Sequence, residues 1–99
     1  MSFLNEKIKP LMRISATQTA FDVELEDLID AARSDLKLSG VLPSKAESET
    51  DPLITRAVST YVKANFGWEN KDAEKFQASY DALKAHLTLS AEYTVGGDD

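Results

Sequence analysis

Apolar residues recur at helical spacing in four stretches of the chain, and no stretch alternates as a half-buried strand would. The first runs from about Phe3 to Met12, with Leu4, Ile8, Leu11 and Met12 on one face and Ser2 placed to cap it. Pro10 sits inside this pattern, so its missing N–H is expected to end or kink the helix nearby. The second stretch is the most regular. Phe21, Leu25, Leu28, Ile29, Ala32 and Leu36 form its stripe, while Asp22, Glu24, Glu26, Asp27, Asp30 and Asp35 fill the other positions. Thr19 with Asp22 approximates a capping box, and Gly40 stands where a left-handed C′ residue belongs.

Val41 to Thr50 holds Pro43, Ser44 and Ser48 without periodicity, which predicts a long loop. Asp51-Pro52 then pairs an N-cap acid with proline at N1. Ile54, Ala57, Val58, Tyr61, Val62 and Asn65 line one face of this third helix, and Gly67 closes it. A fourth helix starts near Asn70 and carries Ala73, Phe76, Tyr80, Leu83 and Leu87 on its stripe. Thr88 to Thr94 loses the pattern, and Val95 to Asp99 reads as a flexible acidic tail. The expectation is an all-α fold, a small bundle of about four helices with a long loop between helices two and three. One domain would span residues 1–94, followed by the tail at 95–99.

Composition narrows the function. The 99 residues suffice for one domain with a thin core. Acids outnumber Lys and Arg 17 to 11, giving a net charge of -6, and the lysines are scattered. Phosphate binding needs clustered cations, so sequence-specific DNA recognition is disfavoured. Cysteine is absent, which removes disulfides and thiolate metal sites and fits a reducing place of synthesis. No apolar run reaches the roughly 20 residues of a membrane helix, and the N-terminus lacks the layout of a signal peptide.

Catalytic constellations are missing. His86 is the only histidine and cannot found a transition-metal site unaided; it reads as a surface residue near the end of helix four. The acids of helix two read as a solvated face, and Asp22 to Glu26 lacks the ligand spacing and glycine of a calcium loop. The serines sit in no G-x-S-x-G elbow, and neither G-x-G-x-x-G nor G-x-x-x-x-G-K-[ST] occurs. The expectation is a protein that is not an enzyme and takes no cofactor or metal.

The aromatics point to packing and contact instead. Tyr61, Phe76 and Tyr80 suit the junction of helices three and four. Trp68 lies past the apolar stripe at a helix end, a position open to anchoring a partner. Leu87, Leu89 and Tyr93 outlast the fourth stripe and are further candidates for burial between subunits.

Four segments in order carry a resemblance: Leu4-Asn5-Glu6-Lys7-Ile8-Lys9-Pro10-Leu11-Met12-Arg13-Ile14, then Asp22-Val23-Glu24-Leu25-Glu26-Asp27-Leu28-Ile29-Asp30-Ala31-Ala32-Arg33, then the Asp51-Pro52-Leu53-Ile54 helix start with its Tyr61-Val62, then the run from Tyr80 through Leu83, Leu87, Leu89 and Ser90 to Tyr93. Together they resemble the small head–tail connector (head-completion, adaptor) proteins of tailed bacteriophages, a group also described as DNA-packaging proteins. The resemblance spans nearly the whole chain. It implies a virion protein, assembled in the host cytoplasm, whose copies form a ring under the portal protein, commonly dodecameric. That ring would extend the DNA channel and dock a stopper or tail-completion protein. DNA would pass without sequence-specific binding, no membrane would be involved and no cofactor is expected.

A ring needs heterologous interfaces. The Val41–Thr50 loop, Trp68, and Leu87, Leu89 and Tyr93 are the candidates to supply them. An acidic channel wall would repel phosphate, and Glu24, Glu26 and Asp30 are the candidates to face it, although net charge also serves solubility. The alternative from another class is a freestanding helical regulator or DNA-packaging accessory that binds a single partner. Neighbouring genes for portal, capsid and tail proteins would favour the connector.

Overall fold

A computed structural model describes residues 2–67 and 70–94. Among these residues every regular element is helical. Helix α1 is π-helical over Leu4–Ile8 and α-helical over Lys9–Met12; α2 spans Asp22–Leu38, α3 Pro43–Ala46, α4 Pro52–Asn65, α5 Ala73–Leu89 and α6 Ala91–Thr94. The all-α bundle of four main helices is the expected fold. Its centre is α4, which packs most extensively against α5 and then α2, while α1 lies across α2 and α4.

As expected, the helix is disturbed at Pro10: α1 changes from π-helical to α-helical one residue ahead of it and ends two residues after it, at Met12. A proline ring clashes with the carbonyl four residues back and offers that carbonyl no donor. Here the turn ahead of it widens, with the Lys9 N–H reaching back five residues to the Leu4 carbonyl. The wider turn rotates the stripe, so Phe3, Leu4, Ile8 and the lysine Lys9 point inward while Leu11 is half-exposed. The expected Ser2 cap is present, its hydroxyl accepting the Asn5 N–H at 3.1 Å.

Two helices end in the same Schellman arrangement. In α2 the Val41 N–H meets the Leu36 carbonyl at 2.9 Å and the Gly40 N–H meets the Lys37 carbonyl at 3.1 Å, with Gly40 at φ 114°. Leu36 and Val41 are both buried, closing the motif with an apolar contact. In α1 the Ile14 and Arg13 N–H groups pair with Lys9 and Pro10 carbonyls at 2.9 and 3.1 Å, and Arg13 itself takes the left-handed conformation at φ 60°.

The helix starts divide. Asp51 caps α4 as expected, accepting the N–H groups of Leu53 and Ile54 at 2.9 and 3.2 Å. Thr19 does not cap α2 with its side chain. Its carbonyl accepts the Asp22 N–H at 3.2 Å, and Asp22 turns instead to the Lys9 ammonium, 2.8 Å away. That ammonium is fully buried and also donates to the carbonyls of Ala16 and Gln18, at 3.3 and 2.7 Å, fastening the segment between α1 and α2.

Two segments expected to be irregular contain one-turn helices too short to show periodicity. The loop after Gly40 holds α3, begun by Pro43 at its first position, and buries Val41 and Ala46. The stretch expected to lose the pattern after Leu87 continues in α5 to Leu89 and then forms α6. The Leu42 N–H donates to the Tyr93 carbonyl at 2.8 Å, so these two segments hold one another. Along the predicted stripes Leu25, Ile29, Ala32, Leu36, Ile54, Ala57, Val58, Val62, Tyr80 and Leu87 are buried, whereas Asn65 is exposed and Phe21 half-exposed. The tail at 95–99 lies outside the described residues.

Candidate docking surface

Helix α2 presents two kinds of carboxylate. Asp22 and Asp35 serve the fold: Asp22 pairs with Lys9, and Asp35 accepts the Tyr80 phenol at 2.6 Å and the Lys84 ammonium at 2.9 Å. Burial pushes the Asp35 carboxyl upward, but the hydrogen bonds from Tyr80 and Lys84 and the Lys84 charge outweigh it and hold it below the usual carboxylate range. Tyr80, buried against this acid, is held strongly in its neutral form. Of the three acids considered for a channel wall, Glu24 accepts the Gly67 N–H at 3.1 Å, tying α2 to the end of α4. Glu26 and Asp30, with Asp27, are exposed and make no hydrogen bond or ion pair among the described residues. They stand on the outer face of α2, away from Leu25, Ile29, Ala32 and Leu36, and the same face carries Val23 at 77% exposure and Leu38 at 88%.

The candidates for subunit contact fare differently from one another. Trp68 lies outside the described residues. Leu87 and Tyr93 are in the core, 2% and 6% exposed, which withdraws their apolar surface from any partner. The reason is the continued helix: α6 folds back so that the Tyr93 phenol reaches the Asp51 carboxylate at 2.9 and 3.1 Å. Burial and this acid push the Tyr93 pKa up to about 12. Leu89 is the one of the three that faces out, at 86% exposure.

A concavity of about 940 Å³ runs between α1, α4 and α5. Leu11, Leu53, Phe76 and Leu83 contribute its apolar floor and walls. Lys7, Arg56, Lys63 and His86 line it as well, and among the described residues no Asp or Glu does. Lys63 stands 5.7 Å from the Phe76 ring centre, while the side chains of Lys7, Arg56 and His86 have no hydrogen-bond or ion-pair partner among the described residues. Sequence reasoning missed this groove. The signal was present, because α4 carries Arg56 and Lys63 but no acid from Pro52 to Asn65, in a chain with a large excess of acids.

The groove offers cations and apolar surface without a nucleophile–base pair, and no group of three His, Cys, Asp or Glu residues among those described is arranged to hold a metal. No helix is long and apolar enough to cross a membrane, again among the described residues. Such a surface suits contact with another macromolecule. The family model described as phage connector protein matches residues 4–94, every helix of the fold. The chain belongs to the phage connector protein family. No curated protein and no solved structure matches it. The connector is thus a structural component of the phage particle, acting at the junction of head and tail among the portal and other virion proteins.

Proposed function

We propose that copies of this connector assemble as a ring beneath the portal, extend its DNA channel and present the surface on which a stopper or tail-completion protein docks. The observation that carries this reading is the family match along residues 4–94, which leaves no helix of the bundle outside the connector unit. Its net charge of -6 supports a passage through which DNA phosphates slide without adhering. Leu89, fully outward at the end of α5, is the residue of the C-terminal segment proposed to meet a partner.

The test is reconstitution. DNA-filled heads from a virus lacking this gene are mixed with the purified chain and imaged by electron microscopy. A ring of added density under the portal, and recovery of tail attachment, are the expected results. Heads that remain bare while the chain stays unbound would remove the reading. Truncation after Leu87 is not a suitable variant, because it deletes the buried Tyr93 and its bond to Asp51. Leu89→Glu, at a residue 86% exposed, probes the docking surface without cutting into the core.

A further inference from the structure

The connector carries two complementary surfaces that cannot meet within one chain. The outer face of α2 offers Val23, Glu26, Asp27 and Asp30, an aliphatic residue followed by three carboxylates that have no partner among the described residues. The groove between α1, α4 and α5 offers Leu53 and Leu11 beside Lys7, Arg56 and Lys63. The buried stripe of α2 packs on α4, so its acidic face is turned away from the helix that builds the groove. Among the described residues the Arg56 and Lys7 side chains have no partner, in a chain whose net charge is -6. A helix is about 10 Å across, and the Val23–Asp30 stretch rises about 10 Å along its axis, within the roughly 16 Å that α4 spans from Pro52 to Lys63.

We infer that the groove receives the acidic outer face of α2 from a second copy of this chain, and that this contact joins neighbours in the connector ring. The inference rests on the ring reading above and specifies its interface. Because groove and acidic face lie on different sides of one subunit, the contact is heterologous: each copy uses its groove for one neighbour and its α2 for the other. Such contacts propagate and close only as a ring. Glu26 and Asp30 then belong to the subunit contact in place of a channel wall.

The chain has no cysteine, which makes the test direct. Ser34 lies on the outer face of α2 and Ser79 lines the groove. Full-length Ser34→Cys/Ser79→Cys, assembled on portal-bearing heads and mildly oxidised, is expected to give a ladder of disulfide-linked oligomers, absent from either single variant beyond the dimer. In parallel, Arg56→Glu and Asp30→Lys are each expected to weaken assembly about tenfold or more, since like charges then face each other. An equimolar mixture of the two is expected to assemble, because each groove then meets an α2 of opposite sign. Wild-type-like assembly by both variants alone, or a ring without the ladder, would overturn this interface while leaving the ring intact. If the wild-type chain forms no ring on portals, the interface and the proposed ring fall together. Duplex DNA retained by the wild-type groove and lost in Arg56→Glu, with ring formation unchanged, would assign the groove to phosphate and overturn the inference as well.

Discussion

The phenol of Tyr93, in the last helical turn described, donates to the same Asp51 carboxylate that caps α4. Residues 42 positions apart thus share one cap, and the chain's C-terminal segment is held by the start of its central helix. Tyr93→Phe removes a buried hydrogen bond to a charged acceptor and should cost on the order of 1.5 kcal/mol. Asp51→Ala should cost more, about 2–3 kcal/mol, since it loses the cap and also strands the Tyr93 hydroxyl. Urea denaturation of the two single variants and the double variant checks this, with a double-mutant coupling well above zero expected.

The same pair sets an alkaline limit. The unfolded phenol ionises near 10.0, whereas the folded one holds its proton to about 12. The raised value means that the folded state binds the proton more tightly, so its stabilising contribution is complete below pH 10 and is lost as pH rises toward 12. Tyr80 shifts in the same direction. Stability measured from pH 9 to 12 should therefore fall in the wild type and fall less steeply in Tyr93→Phe.

Much of this arrangement was legible in the residues, and the reason is local. The Asp51-Pro52 start, the Gly40 close and the stripes of α2, α4 and α5 are encoded within one or two turns, where periodicity and capping chemistry speak directly. What escaped is long-range. The one-turn helices α3 and α6 are too short for a period to appear. The burial of Leu87 and Tyr93 depends on α6 folding back to Asp51. Lys9, polar by type, sits in the core only because carbonyls of Ala16 and Gln18 and the acid Asp22 converge on it. The groove too is a product of three helices meeting, although its charge was visible in the acid-free run of α4.

Asp35 governs the acid side. Its carboxyl is held below the ordinary value of 3.8, so the folded state favours the ionised form. That stability is present above the unfolded value and disappears as pH falls below 3.8 through the lower folded value. Asp35→Asn should flatten the pH dependence of stability in this acid range. Carboxyl titration by NMR should find Asp35 ionising below the ordinary aspartate value of 3.8.

The fully buried Lys9 gives the sharpest stability prediction. Its ammonium draws together the carbonyls of Ala16 and Gln18 and the carboxylate of Asp22. Breaking a buried ion pair from one side commonly costs about 3–5 kcal/mol, but Asp22 keeps a third of its side chain in water and can be resolvated. Lys9→Met, which preserves the length of the stem, should therefore cost about 2 kcal/mol, below that range because only one partner is buried. The damage should be local. Amides between Ser15 and Phe21 should exchange faster with solvent while those of α4 and α5 keep their protection relative to global stability. If Lys9→Met instead lowered protection evenly across the chain, the lysine would be supporting the whole core rather than fastening the α1–α2 connection.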